Sequence, residues 1–211
     1  MEAPVRVKVC GVRTPGDAVA AIEAGADALG LNFWPEGPRF LAPPSAPALV
    51  AAARSTRATV ELVGVFVDAP IVEVRALRRR LGLDWVQLHG AETPEEVTAL
   101  LPGAYKAIGV GGPEDVSRAG AYPGDRILLD ARVRGGPPGG TGARFDLALA
   151  ERLAEARCLV LAGGLTPANV AGAVRRVRPF MVDAASGVER APGVKDPAAM
   201  AAFVRAAKAA R

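Results

Sequence analysis

Histidine occurs once in these 211 residues, cysteine twice, and side-chain amides only as Asn32, Gln87 and Asn169. One histidine rules out a metal site built on several imidazoles. Two cysteines are no disulfide framework in a chain of this length. Aromatic residues make up 5% of the chain, too few to interleave with its arginines as stacking platforms, so nucleic acid is not an expected partner. No apolar run approaches the ~18–20 residues of a membrane span, and no secretory pattern opens the chain. The expectation is a soluble, cytoplasmic protein without a membrane partner. Scarce amides, abundant proline and a preference for arginine over lysine fit a thermophilic source or a GC-rich genome.

What is present supports one large core. Half the residues are hydrophobic and the net charge is +4. The densest basic run, Arg78-Arg79-Arg80, closes a helical pattern and reads as a solvated helix end. A mildly positive field suits a small phosphorylated substrate.

Short β-type apolar runs alternate with helical patterns along the whole chain. The expected strands are residues 5–9, 28–32, 60–67, 85–88, 105–110, 126–130, 158–162 and 180–184. The expected helices between and after them are residues 14–24, 45–54, 70–81, 93–101, 113–119, 145–156, 166–177 and 196–209. Thr14-Pro15, Thr93-Pro94, Thr166-Pro167 and Asp196-Pro197 read as helix starts, a capping oxygen followed by a proline at the first helical position. Eight strand–helix units filling 1–211 predict a single-domain α/β fold, the (β/α)8 TIM barrel with eight parallel strands. An open doubly wound sheet is the alternative, but no G-x-G-x-x-G follows the first strand.

A barrel carries its chemistry at the C-terminal strand ends and the loops that follow. That rule selects Cys10, Asn32, Asp68, His89, Asp130 and Asp183. Strand alternation places Lys8 with Cys10, and Gln87 with His89, on the barrel-facing side. Cys10 reads either as a small buried hydrophobe or as a base whose thiolate the neighbouring Lys8 favours. Cys158 begins strand seven, on the stability face, and reads as structural. Asp130 ends an apolar strand, where a carboxylate is costly unless solvated or used, and a long glycine-rich loop follows it. His89 either contacts substrate or fixes the loop through Gly90. Gly163-Gly164 after strand seven and Asp183 to Ser186-Gly187 after strand eight fit the recurrent phosphate cradle of barrels. Arg39, in a stiff loop after strand two, reads either as a grip on a substrate carboxylate or as a surface charge.

Taken in order, these segments resemble the phosphoribosylanthranilate isomerases of tryptophan biosynthesis. The resemblance rests on Lys8-Val9-Cys10-Gly11, Gly30-Leu31-Asn32-Phe33 with Pro38-Arg39, Val86-Gln87-Leu88-His89-Gly90, Leu129-Asp130, Gly139-Gly140-Thr141-Gly142 with Phe145-Asp146, Ala162-Gly163-Gly164-Leu165 with Asn169-Val170, and Asp183 with Ser186-Gly187-Val188-Glu189. It implies an Amadori rearrangement without cofactor or metal, with Cys10 as general base and Asp130 as general acid. It implies that Arg39 holds the anthranilate carboxylate, that Gly164 and Ser186-Gly187 hold the phosphate, and that Gly140, Thr141 and Gly142 form a mobile loop. The chain departs from the family pattern in Ala184-Ala185, where polar residues are common, and in Pro137-Pro138 ahead of the loop. The sister isomerase of histidine biosynthesis uses aspartates as acid and base, whereas strand one here ends in cysteine. The expected assembly is a monomer or homodimer.

Overall fold

A computed structural model describes residues 4–110, 113–130 and 147–210. The glycine-rich segment with Gly140, Thr141 and Gly142 lies outside the described residues. Eight parallel strands close into a barrel: β1 (Arg6–Cys10), β2 (Ala28–Asn32), β3 (Glu61–Phe66), β4 (Trp85–Leu88), β5 (Ala104–Gly109), β6 (Arg126–Asp130), β7 (Cys158–Ala162) and β8 (Met181–Ala184). The helices between and after them are α1 (Pro15–Glu23), α2 (Ala46–Thr56), α3 (Ile71–Leu81), α4 (Pro94–Thr98), α5 (Pro113–Ala119), α6 (Leu147–Ala156), α7 (Val170–Val177) and α8 (Pro197–Lys208). Closure comes from β1 pairing β8 as well as β2, with Lys8 opposite Asp183 on one side and Ala28 on the other. Among the described residues no helix is long and apolar enough to cross a membrane.

Alternation along the strands sorts the core into two shells. Val7, Val9, Leu29, Leu31, Leu129 and Leu161 point outward into one cluster with the helix faces. Val63, Tyr105, Ala107, Leu128, Val160 and Met181 point inward and fill the barrel. Each fully buried leucine of the outer shell contributes about 2 kcal/mol.

Local signals set the helix starts. Thr14 accepts from Asp17 N at 3.1 Å, Thr93 and Glu96 form a reciprocal capping box, and Asp196 accepts from Ala198 N and Ala199 N. The expected start at Thr166-Pro167 is displaced, because α7 begins at Val170. Asn169 Oδ1 takes the Thr166 amide at 2.8 Å and its Nδ2 donates to Gly164 O at 3.0 Å, so those side-chain bonds tie down the loop. One addition was not expected: Ser186–Val188 form a 3-10 turn, and β9 (Glu189–Ala191) and β10 (Val194–Lys195) pair as a small antiparallel hairpin before α8.

Candidate active site

Three strands carry the inward series that runs from one barrel end to the other, polar at most of its positions. Along β1 these are Arg6, Lys8 and Cys10; along β4 and just beyond it, Trp85, Gln87 and His89; along β6, Arg126 and Asp130 on either side of Leu128. At the C-terminal end Cys10, His89 and Asp130 line one cavity of about 120 Å³ with Asn32, Asp183 and the glycine loops. A second compartment of about 410 Å³, walled by Trp34, Pro38, Val65 and Val67, adjoins it through Asn32, Arg39 and His89. The first alone falls below the ~300–1,000 Å³ of typical ligand pockets, and the second supplies the missing room.

Cys10 sits opposite Gly30 on β2. A Cβ on Gly30 would lie 2.7 Å from the Cys10 sulfur, so glycine there leaves space for the thiol. The sulfur is within 3.5 Å of Asn32 Oδ1, a contact in which the S–H donates. Burial pushes the Cys10 thiol up and Asp183 adds to that, while Lys8 and Lys195 pull down without reversing it. Lys8 does favour ionisation, but desolvation outweighs it.

Lys8 is fully buried and lies beneath the cavity rather than in its wall. Its Nζ donates to Asp183 Oδ2 at 2.7 Å and Gln87 Oε1 at 2.9 Å. Burial alone would lower its pKa, but the Asp183 carboxylate outweighs that and holds the ammonium well above its ordinary range. Asp183 lines the cavity, and its second oxygen, Oδ1, is buried with no hydrogen-bond partner. A buried carboxylate oxygen without a partner has acceptor capacity to spare.

His89 Nε2 lies 3.6 Å from Asp130 Oδ2, and its Nδ1 lies 3.1 Å from Gln87 Nε2. Burial pushes the imidazole pKa down; Asp130 opposes that, while Lys106 and Lys8 reinforce it. The ring is therefore neutral near pH 7.

Arg39 reaches across the barrel mouth to the hairpin. Its Nε and Nη2 each donate to Glu189 at 2.7 Å. The Nη1–Nη2 edge of the guanidinium remains for a second carboxylate. Burial alone would raise the Glu189 carboxyl, but the bonds from Arg39 and Lys195 outweigh it and hold it below the usual range. Lys195 is itself buried, donating to Glu189 Oε1 at 2.9 Å and Ala185 O at 3.0 Å.

The two late loops pack backbone on backbone. A Cβ on Gly187 would lie 1.9 Å from Leu165 O. Gly163 and Gly164 have φ of 98° and 65°, the left-handed region. Gly163, Gly164, Ser186 and Gly187 thus form one wall of the cavity.

The structure brings together Cys10, Arg39, His89, Asp130, Gly163, Gly164, Asp183, Ser186 and Gly187, and leaves Lys8 one layer below. Sequence patterning missed Lys195 and the two bonds that Arg39 donates to Glu189. Both belong to the unexpected hairpin, and the only local trace was a lysine directly before the Asp196-Pro197 cap. Among the described residues no three His, Cys, Asp or Glu side chains gather so as to hold a metal ion. A larger, open groove of about 890 Å³ lies at the opposite barrel end, beside Arg6, Arg157 and Phe180. Its Arg157 is committed to the carbonyls of Ala119, Pro123 and Gly124.

Comparison with known proteins gives one answer. Residues 7–206 match the family model described as N-(5'-phosphoribosyl)anthranilate (PRA) isomerase. A Myxococcus xanthus N-(5'-phosphoribosyl)anthranilate isomerase is 52% identical over 207 residues, covering 97% of this chain and 96% of that protein. The crystal structure of the phosphoribosylanthranilate isomerase from Thermotoga maritima superposes with a TM-score of 0.87 at 38% identity, covering 97% and 99% of the two chains. A phosphoribosylanthranilate isomerase in complex with reduced 1-(o-carboxyphenylamino)-1-deoxyribulose 5-phosphate superposes with a TM-score of 0.86 at 37% identity, covering 97% and 99%.

Proposed function

The chain belongs to the N-(5'-phosphoribosyl)anthranilate isomerase family, and from that premise we propose that Cys10 and Asp130 are the general base and general acid of its rearrangement. The protein is an isomerase of tryptophan biosynthesis. The observation that carries the residue roles is a thiol and a carboxylate opening onto one cavity from β1 and β6, with His89 beside the carboxylate.

N-(5'-phosphoribosyl)anthranilate becomes 1-(2-carboxyphenylamino)-1-deoxyribulose 5-phosphate by moving hydrogen from C2 toward C1. Asp130 gives its proton to the furanose oxygen as the C1–O bond breaks and the anilino nitrogen forms a C=N bond. Cys10 as thiolate removes the C2 proton, leaving an enolamine. Loss of the O2 proton and protonation at C1 then give the ketone. The reactive microstate pairs a thiolate with a carboxylic acid. Lys8, Lys195 and Arg39 place positive charge near the sulfur, which favours the thiolate that the step requires.

The rest of the substrate fits the two compartments. The phosphate faces the backbone amides of Gly163, Gly164, Ser186 and Gly187. Asp183 Oδ1 accepts a ribose hydroxyl. The anthranilate ring takes the compartment beside Trp34 and Pro38, with its carboxylate on the open edge of Arg39. Gly140, Thr141 and Gly142, assigned by resemblance to a loop over this site, lie outside the described residues.

The test is consumption of N-(5'-phosphoribosyl)anthranilate by wild type, Cys10→Ala, Asp130→Ala and the double variant. Each single change should cost about 10²–10⁴-fold in turnover. The double variant should lose little more, because residues acting as a unit are not additive. Retained turnover in either single variant would remove that residue from its role.

A further inference from the structure

The buried amide of Gln87 bridges the cation beneath Cys10 to the imidazole beside Asp130. Gln87 Oε1 receives two bonds, from Lys8 Nζ at 2.9 Å and from the Tyr105 hydroxyl at 3.0 Å. A lysine ammonium can only donate, so the amide end facing it must be oxygen. The opposite end is then the NH2 group, and it faces His89 Nδ1 at 3.1 Å. An NH2 donor requires a bare nitrogen to receive it. The single proton of a neutral imidazole is left on Nε2, the atom 3.6 Å from Asp130 Oδ2. The direction of every bond in this series follows from Lys8 having no acceptor.

We propose that Gln87 is a positioning residue that holds His89 as the neutral Nε2–H tautomer, with that proton directed at Asp130. This rests on the reading of Asp130 as the general acid. An imidazolium at the same place would compete with Asp130 as the proton donor. A neutral N–H leaves the acid its proton and then stabilises the carboxylate formed once that proton has gone. The charged groups around the ring divide, with Asp183 of β8 and, once ionised, Asp130 of β6 favouring an imidazolium and Lys106 of β5 and Lys8 of β1 opposing it. Burial adds to the opposing side. Lys8 also polarises Gln87 through its oxygen, which strengthens the NH2 end as a donor. The Tyr105 hydroxyl stays protonated because burial pushes its pKa up, so it remains a donor to the same oxygen.

Gln87 is the only glutamine and His89 the only histidine, so both are labelled uniquely. The full-length protein is labelled with ¹⁵N at these two residue types, and long-range ¹H–¹⁵N spectra are recorded near neutral pH. The expected wild-type result is a bare Nδ1, a protonated Nε2, and a scalar coupling across the hydrogen bond between Gln87 Nε2 and His89 Nδ1. In Gln87→Glu the carboxylate can only accept, so the proton should appear on Nδ1, and kcat should fall at least tenfold with KM little changed. Roughly 10⁴-fold is the loss found when a catalytic histidine is held in the wrong tautomer. A protonated Nδ1 in wild type, or a folded Gln87→Glu protein with Nδ1 still bare, overturns the proposal. Should Gln87→Glu not fold, the wild-type coupling decides alone: its presence supports the bridge and its absence refutes it. The acid reading fails separately, through retained turnover in Asp130→Ala, and that result leaves the coupling untouched.

Discussion

The two ends of the barrel interior are built from the same strands and do opposite things with charge. At the N-terminal end Glu61 accepts from Arg6 at 2.7 Å and from Arg126 at 3.1 Å, and the Arg126 guanidinium stacks on Trp85 at 3.8 Å. Phe180 lies against both arginines. Glu61 joins the two arginines, whose side chains plug the barrel, while Arg126 Nε is buried without a hydrogen-bond partner. Four residues further along β1, β4 and β6 stand Cys10, His89 and Asp130, which open onto a cavity. Between the two lies the Lys8–Asp183–Gln87–Tyr105 layer, in which Asp183 Oδ1 is left without a partner and Asp183 also lines the cavity. One period-two pattern thus yields a stability layer and a chemical layer. What separates them is whether partners come from the protein or are left for a ligand.

The largest expected effect breaks the cavity end. Gly187→Ala would set a Cβ against Leu165 O, a rigid backbone atom, and force the two phosphate-facing loops apart. The expected outcome is a rise in KM of tenfold or more together with a stability loss of about 1–3 kcal/mol, read by steady-state kinetics and thermal melting. Substrate lacking the 5'-phosphate should be affected far less.

Next, Glu61→Gln breaks the other end. It leaves the buried Arg126 without its carboxylate and should cost about 1–3 kcal/mol, read as a lower Tm, with kcat unchanged. Burial alone would raise the Glu61 carboxyl, but Arg126 and Arg6 outweigh it and hold its pKa below the ordinary value. A depressed carboxyl pKa gives stability that is present above the unfolded-state value and lost as pH falls through the folded-state value. Wild type should therefore lose Tm more steeply than Glu61→Gln on acidification below about pH 4.5. Parallel curves for the two proteins would remove Glu61 from this account.

A smaller effect sharpens the division within the cavity. Arg39→Lys cannot hold Glu189 by two bonds and still present an edge to a substrate carboxylate. KM should rise about tenfold with kcat within a few-fold of wild type. A drop confined to kcat would place Arg39 in the chemistry instead of in binding.

Much of this was legible in the residues. Alternating apolar runs gave the eight strands, and Trp85–Leu88, Arg126–Asp130 and Cys158–Ala162 start and end where the composition said. Period-two counting also put Lys8 beside Cys10 and Gln87 beside His89. Two things were not legible. Whether Lys8 reaches the ligand or stays below it depends on how far the barrel closes over it, a tertiary quantity that strand periodicity does not carry. The ionisation of Cys10 depends on the balance of burial against Lys8, Lys195 and Asp183, three residues brought near it from elsewhere on β1, from β10 and from β8. The hairpin supplying Lys195 was hidden for a simpler reason: strands of three and two residues are too short to show alternation. The Gln87–His89 bridge was half visible, as two polar residues on one face of β4. The direction of its bonds needed Lys8 from another strand.

The division of labour between the two ends is tested most directly by a crossed measurement on Cys10→Ala and Glu61→Gln, each assayed at saturating substrate and melted under the same conditions. The expected result is a loss of about 10²–10⁴-fold in turnover for Cys10→Ala with its Tm within a few degrees of wild type, and the reverse for Glu61→Gln. Wild-type turnover in Cys10→Ala, or a collapse of turnover in folded Glu61→Gln, would contradict it.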